Sequence, residues 1–291
     1  MPSLNPIKIL GHLEFNIADK RIPHNWKEPL EMPARSHFAR ALTPEEKIAI
    51  PNMPIPFYKP ENLNRYHQDA CNMIGGQFRD FHDAIVDAVK EAHDQWRMQA
   101  GFTGLQVMAL AAIGTPGCLV GPDLEPLIKN ASGVASMEGN EGAYRDAVAG
   151  GVGKCFKAWQ DAVTVPGLPW YPAFVAFPSP MAPPTPNVPV PLIMCVSPMV
   201  VQLLVPGIMR KMMEQSLSQD VRDKDDDKKY KSLFKCIEAT LIVAFAIWLV
   251  SQQVTNVMGT GPIPTFAPPF VPVGPVVGGT NLPGPGQHVM A

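Results

Sequence analysis

The sequence has little charge and no paired cysteines, and each shortage excludes a class of protein. Only 17% of its 291 residues are charged and the formal net charge is −2. Such a chain has no field that attracts nucleic acid, so we expect no nucleic-acid partner. The five cysteines lie 37 to 47 residues apart without a CxxC pair. This spacing argues against a zinc ribbon or a redox motif.

The expected cellular compartment follows from residues 1–15, which do not have the pattern of a signal peptide. Residues 1–15 contain prolines, a lysine and a histidine where a signal peptide needs an unbroken apolar run. An odd, scattered set of cysteines is typical of buried free thiols in a reducing compartment. We therefore expect the chain to be made in the cytoplasm.

Two motifs suggest ligand chemistry, but each lacks a required residue. The stretch GGVGKC at 150–155 resembles a phosphate-binding loop, yet Val148 and Cys155 occupy the positions that need glycine and Ser or Thr. The acidic face of the first predicted helix carries His82 and His93, which lie too far apart along the axis to share a metal ion. The sequence therefore predicts no enzyme activity, no metal and no cofactor.

Proline is abundant in a chain that is otherwise apolar. There are 33 prolines beside a hydrophobic content of 46%, and this apolar content is too high for a disordered chain. Eleven prolines lie between Pro166 and Pro198, and eight between Pro262 and Pro285. Because proline fixes φ and lacks an N–H donor, these stretches predict extended arms. The predicted partner contacts on these arms are aromatic: Trp170, Tyr171, Phe174, Phe177, Phe266 and Phe270.

Three tryptophans, Trp96, Trp159 and Trp248, each end a predicted helix and precede a proline or glycine break. Residues four apart share one face of a helix, so a row of small residues at that spacing predicts a groove for close helix packing. Small residues stand four, eight and twelve positions before each tryptophan: Ala92, Ala88 and Ala84; Cys155, Gly151 and Ala147; Ala244, Thr240 and Cys236.

These patterns predict a mainly α protein with long irregular proline-rich arms and three helix-plus-arm repeats. The expected organisation begins with a proline-punctuated arm with short helices at 1–76. It continues with repeat units at 77–140 and 141–198, an inserted helix and charged linker at 199–229, and a third repeat with a C-terminal proline-rich arm at 230–291.

In general style, the proline-rich arms and the repeat layout resemble structural proteins of tailed-phage virions and contractile tails. The resemblance implies an assembly component of a phage tail, baseplate or related contractile injection apparatus, which clasps neighbouring subunits with its arms. Its expected location is the virion or injection particle, and its expected partners are other structural subunits, with copies of the same chain as a further option.

The sequence is also compatible with two alternative functions. The first is a membrane-associated scaffold that uses the twelve-residue apolar run 239–250, although a bilayer needs about 20 such residues. The second is an enzyme whose site forms between subunits.

Overall fold

A computed structural model describes residues 3–4, 7–11, 60–171, 174, 176–225, 228–266, 273–282 and 288–289, with residues 60–76 and 78 described by their backbone. The chain divides into two compact units. One unit comprises residues 1–11 and 83–291, and the other comprises residues 12–82. Of the second unit, residues 60–82 are described, and they are helical.

Helices of very different length alternate with short strands along the described chain. Residues 7–11 are helical near the N-terminus. Two 3₁₀ turns cover Leu192–Met194 and Pro198–Val200. The remaining helices are α1 (Pro60–Gln99), α2 (Leu124–Lys129), α3 (Gly139–Asp161), α4 (Val201–Leu204), α5 (Ile208–Ser216), α6 (Gln219–Asp223) and α7 (Lys229–Ser251).

The strands are short and pair antiparallel throughout the described sheets. They are β1 (Gly101–Phe102), β2 (Gln106–Met108), β3 (Ala111–Gly114), β4 (Leu119–Val120), β5 (Val165–Pro169), β6 (Met181–Pro186), β7 (Val190–Pro191), β8 (Gln253–Val254), β9 (Met258–Pro262) and β10 (Gly279–Asn281). The main sheet has six strands in the order β5-β3-β2-β10-β9-β6, and two smaller sheets pair β1 with β4 and β7 with β8.

The register of the main sheet gives it one buried face and one open face. Gln106 pairs with Ile113 and Val107 pairs with Ala112 across the β2–β3 hairpin. Val107 and Ala112 are fully buried, whereas Gln106 and Ile113 are exposed. This alternation is typical of an antiparallel sheet that covers the core with one side only.

Three tryptophans form the centre of the helical core. The ring centroids of Trp96 and Trp248 are 5.9 Å apart, and those of Trp159 and Trp248 are 5.6 Å apart. Phe156 and Phe245 pack beside them with their centroids 5.8 Å apart. Edge-to-face packing of such large rings is a strong source of core stability, because each ring buries a large apolar area.

The prediction of a mainly α protein with long proline-rich arms is wrong. The interpretable residues are 51% helical and 20% strand, with several antiparallel sheets, and they do not show three repeats. Strands β1–β4 follow α1, strands β5–β7 follow α3, and strands β8–β10 follow α7, but their lengths and pairings differ.

The prolines enter strands because they lie at the edges of the main sheet. Strand β5, at one end of the strand order, contains Pro166 and Pro169, and β6, at the other end, contains Pro183, Pro184 and Pro186. The two end strands approach each other just beyond their last residues, where Trp170 bridges Asn187 and the Val188 N–H donates to the oxygen of Pro169. An edge strand leaves one row of N–H groups without a partner strand, so a residue that has no N–H fits there. The pairing of β6 with β9 also shifts register between residues 182 and 185, where two of these prolines stand.

Candidate functional site

The residues predicted for helix packing lie on α1, α3 and α7 and face the interior. Ala84 is half-buried. The others are buried: Ala88, Ala92, Trp96, Ala147, Gly151, Cys155, Trp159, Cys236, Thr240, Ala244 and Trp248. The structure brings the three tryptophans together, with ring centroids 5.6 to 6.2 Å apart. Two of the small residues contact the segment between residues 199 and 229: Gly151 lies against Met213, and Cys155 lies near Gln202.

The glycines of α3 create close contacts with two other helices. A Cβ atom added at Gly151 would lie 2.7 Å from the backbone nitrogen of Met213 on α5. One added at Gly153 would lie 3.0 Å from the backbone nitrogen of Glu125 on α2. The stretch GGVGKC is therefore the interior of a helix that needs glycine for close approach, and it does not form a phosphate-binding loop.

A buried polar network surrounds the tryptophans. The indole Nε1 of Trp96 donates to Gln160 Oε1 at 2.6 Å, and that of Trp248 donates to Gln252 Oε1 at 3.0 Å. Gln252 Oε1 also accepts from the buried Arg97 Nε at 3.1 Å. These groups satisfy one another, as buried polar groups must, and thereby fix the end of α1 against the end of α7.

His93 lies inside the aromatic cluster with no exposed surface. Its ring stands perpendicular to that of Trp248, with the centroids 4.5 Å apart. Neither ring nitrogen has a hydrogen-bond partner among the described residues. Burial, and then the charges of Arg97 and Lys90, lower the pKa of His93 well below its usual value. The imidazole is therefore neutral at pH 7 and acts as an aromatic packing group.

Glu238 is a buried carboxylate with a structural partner. It lies on α7 and is 3% exposed. Its Oε1 accepts hydrogen bonds from the backbone N–H groups of Gly207 at 2.8 Å and Arg210 at 3.0 Å, at the start of α5. Because Gly207 has a φ of 94°, glycine suits the turn that begins this helix. Glu238 thus caps the helix N-terminus from a distant part of the chain.

The described cysteines are buried free thiols. Burial, with a smaller effect of the Glu238 charge, raises the pKa of Cys155 to about 11. Burial first, and then the neighbouring Cys118, raises the pKa of Cys195 to about 12. Burial also raises the pKa of Cys118. Since the thiolate is the reactive form, these three side chains are poor nucleophiles at neutral pH.

A groove of about 230 Å³ between α2 and α3 is lined largely by charged side chains. Lys129 Nζ lies 2.7 Å from Glu125 Oε1, and Lys157 Nζ lies 3.3 Å from Asp123 Oδ1. Lys154 Nζ lies 3.4 Å from the hydroxyl oxygen of Ser216. Each lysine of the groove therefore has a carboxylate or hydroxyl partner. Within the described residues, no group of three or more His, Cys, Asp or Glu side chains is placed to hold a metal ion.

The aromatic residues predicted for partner contact divide into buried and accessible ones. Trp170 and Phe174 are buried within the chain itself, and the Nε1 of Trp170 donates to the backbone oxygen of Thr185 on β6 at 3.0 Å. Tyr171 is 42% exposed. Phe177 and Phe266 are half-buried. Phe270 lies outside the described residues.

Charged residues are absent from three long segments of the chain. Segments 98–122, 162–209 and 239–291 contain no Asp, Glu, Lys or Arg. They contain all the strands named above. They also hold all the large hydrophobic side chains described as exposed except Ile9. We call these three segments the uncharged segments; the positions of charge along the chain, rather than total composition, are the signal that identifies them.

The open face of the main sheet belongs entirely to the uncharged segments. A row of paired residues crosses it from Ile113 through Gln106 and Thr280 to Thr260. Met108 is 52% exposed on the same side of β2. On an antiparallel sheet that faces water, the outer side is normally polar. The outer side of this sheet therefore differs from that norm in having no charged residue and in exposing Ile113 and Met108.

Helix α7 carries a second exposed apolar row at Val243, Ile247 and Val250. It is the one helix in the described ranges that is long and apolar enough to cross a membrane. However, 61% of its most apolar window is buried inside the protein. The spacing of the exposed residues places them on one side of the helix, opposite the tryptophan cluster.

The fold and this surface together define a mixed helix-and-sheet protein with a tryptophan-centred core and an uncharged β layer. Comparison of the chain with protein-family models, curated proteins and solved structures finds no match.

Proposed function

We propose that this chain is a non-enzymatic structural subunit of a larger assembly, and that the uncharged segments form its assembly surface. The observation that carries the proposal is the concentration of exposed large hydrophobic side chains in segments without charged residues. Burial of exposed apolar area favours association by roughly 25 cal/mol for each Å² removed from water, before the entropic costs of association are subtracted. A surface without charge also has no ions to desolvate when a neighbour covers it.

The polar chemistry of the interior supports a structural role. Gln252, Arg97 and Glu238 bind other groups of the same chain, and the neutral His93 packs among aromatic rings. These are the residue types that a catalytic site uses, and here they hold helices together. The surface, rather than a pocket, is therefore where we place the function.

The assembly we favour is a phage tail, baseplate or related contractile injection apparatus, with other structural subunits as partners and the particle as the mature location. The support for this finer proposal is the abundance of proline in the sequence, with 33 residues, and it does not include the long arms or the three repeats, which the described residues do not show. In place of extended arms, the contact we propose is made by the surface of the folded uncharged segments.

The test introduces one charge into the assembly surface. Ile113 is 51% exposed and its side chain points away from the core. We expect Ile113→Lys to fold normally but to enter high-mass complexes at least tenfold less, because a lone buried ammonium has no partner there. The measurement is gradient sedimentation of the tagged chain from the producing cells, with electron microscopy of the heavy fraction.

A matched variant separates the effect of the added charge from the effect of its position. Ser232 is exposed near the start of α7 and lies outside the uncharged segments. Ser232→Lys adds the same charge and should sediment like the unmodified chain. Equal incorporation of Ile113→Lys and Ser232→Lys would refute the proposed surface, and a tagged chain found free of any heavy complex would refute the assembly function itself.

One observation favours a second candidate, a membrane-associated scaffold: the length and apolar character of α7. Alkaline carbonate extraction of membranes from the producing cells tests it. An embedded chain stays in the pellet and needs detergent for release, whereas a subunit of a protein particle leaves the membrane fraction or sediments without lipid.

A further inference from the structure

Residues His288 and Val289, near the C-terminal end of the sequence, are buried where the helical core meets the strands. They are 2% and 0% exposed. The His288 N–H donates to the oxygen of Ala100 at 3.3 Å, and the Thr255 N–H donates to the oxygen of His288 at 2.9 Å. Arg97 Nε donates to the oxygen of Val289 at 3.4 Å. We call residues 288–289 the C-terminal clasp, because they hold together the end of α1, the start of β1 and the residue after β8.

The clasp covers the side of β1 that β4 does not pair with. Successive residues of a strand direct their N–H groups to opposite sides. The Thr103 N–H points toward β4 and donates to the oxygen of Cys118 at 2.8 Å. The Phe102 N–H points to the other side and donates to His288 Nδ1 at 2.8 Å. The imidazole nitrogen therefore occupies the place of the carbonyl oxygen that a neighbouring strand would supply.

This hydrogen bond requires a neutral His288. A backbone N–H can only donate, so Nδ1 must offer its lone pair and the ring proton must lie on Nε2. A protonated imidazole carries N–H groups on both nitrogens. Its Nδ1–H would point at the Phe102 N–H, and both donors would lack an acceptor. Burial also lowers the pKa of His288 below its usual value.

The surroundings of the clasp contain no carboxylate that could stabilise a protonated ring. Segments 98–122 and 239–291 have no Asp, Glu, Lys or Arg, so β1, β10 and the residues around Thr255 contribute no charged side chain. The charged side chain that contacts the clasp among the described residues is Arg97, which is itself a cation. Asp94 is paired with Arg97, with its Oδ1 3.1 Å from Nη1. A buried imidazolium here would lie beside a cation without a counter-ion, which is strongly unfavourable.

We propose that His288 is a pH-sensitive latch, whose protonation releases residues 288–289 from α1 and β1. Once released, the ring titrates near the usual histidine pKa of about 6.5. The closed form is therefore fully favoured above about pH 6.5, and its ratio to the open form falls by up to about tenfold for each pH unit below that value. Opening frees the Phe102 N–H and the Ala100 oxygen, which are the groups that an added strand would bind. The latch operates within a single chain, whether or not that chain enters an assembly.

The experiment is NMR of the purified, ¹⁵N-labelled full chain, with amide exchange rates corrected for the intrinsic effect of pH. We expect the protection of the Phe102 and His288 amides to fall at least about fivefold between about pH 7.5 and pH 5. Amides in the middle of α3 should keep their protection, because the opening is local. His288→Asn retains an acceptor oxygen close to the position of Nδ1 but does not titrate, so the protection of Phe102 should change less than about twofold.

The ring nitrogens of His288, assigned by their absence in His288→Asn, provide the second measurement. We expect the proton on Nε2 at neutral pH, and a protonation midpoint that coincides with the loss of Phe102 protection. A proton on Nδ1 overturns the latch, as does a ring that stays neutral throughout or protonates without loss of protection. An equal loss of protection in His288→Asn also overturns it. If that variant is already unprotected at neutral pH, the two midpoints of the unmodified chain decide, and unequal midpoints refute the latch.

Discussion

Gly151→Ala tests the packing of α3 against α5 with the smallest possible change. In an unhindered helix, replacing glycine with alanine stabilises by about 1 kcal/mol, because alanine loses less backbone freedom on folding. Here the new methyl carbon would lie 2.5 Å from Cγ, 2.7 Å from the backbone nitrogen and 2.9 Å from Cα of Met213. Real carbon atoms do not approach so closely, so the two helices must move apart. Overpacking of this kind costs about 1 to 3 kcal/mol.

The neighbouring glycine provides the control within the same helix. A Cβ added at Gly150 would lie 3.1 Å from the hydroxyl oxygen of Ser216, which can rotate away, and 3.3 Å from its Cβ, which needs to move by only a few tenths of an ångström. Gly150→Ala should therefore be neutral or stabilising by up to about 1 kcal/mol. We expect Gly151→Ala to unfold with a free energy at least about 2 kcal/mol lower than Gly150→Ala.

The assay is urea unfolding followed by the fluorescence of the buried tryptophans at equal protein concentration. Equal or greater stability of Gly151→Ala would refute the close contact between the helices. A second variant locates the contact within Met213. Because two of the three nearest atoms belong to its backbone, adding Met213→Ala should not restore the lost stability, and full restoration would show that the side chain alone was responsible.

Three further changes test the buried polar groups, each measured by unfolding in urea. His93→Phe should stabilise the protein at pH 7.5 by about 1 kcal/mol, because it removes two buried nitrogens that lack partners among the described residues. Glu238→Ala should destabilise by about 2 to 3 kcal/mol, since the N-terminus of α5 loses a charged acceptor. Gln252→Leu should destabilise by a similar amount, about 2 to 3 kcal/mol, because it leaves the donors of Trp248 and Arg97 without this acceptor. No loss of stability in the Glu238 and Gln252 variants would contradict the structural roles given to them.

His93 also gives the unfolding free energy a definite pH dependence. Its folded pKa is lowered, so the unfolded chain binds a proton first as the pH falls. The contribution of His93 to the unfolding free energy is fully present above the unfolded pKa of about 6.5. Below that pH the unfolding free energy declines by up to about 1.4 kcal/mol per pH unit, until the folded pKa is reached. Burial lowers the pKa of His288 as well, so that group acts in the same direction. His93→Phe should lose less stability between pH 7 and 5 than the unmodified chain, and an unchanged pH dependence would contradict the assignment.

The helical core is the part of the fold that periodicity in the sequence could predict. Rows of small residues at four-residue spacing before Trp96, Trp159 and Trp248 indicated buried helix faces, because α-helix geometry alone fixes which side chains share a face. The sequence could not indicate which helix fills each groove. Gly151 contacts Met213, and such a pairing depends on the three-dimensional path of the chain.

The strands were beyond local prediction for a physical reason. Most are two to five residues long, and β6 includes three prolines, a composition that argues against strand when read alone. Their stability comes from partners far along the chain, such as the pairing of Val107 with Gly279. The cap that Glu238 places on α5 is likewise invisible in the sequence, because acceptor and donors are about thirty residues apart. The uncharged segments can be found in the sequence, but only from the position of each charged residue and not from the overall composition.

The central place of β10 in the main sheet affects how the protein is made. Of the six strands, it is the last to leave the ribosome, yet it lies between β2 and β9. Until β10 emerges, β2 and β9 lack the strand that joins them. The pairing of β10 with β2 is slow because the two strands are far apart in the sequence. The nascent chain thus exposes unpaired, uncharged strands during synthesis, when chaperone binding or premature aggregation is favoured.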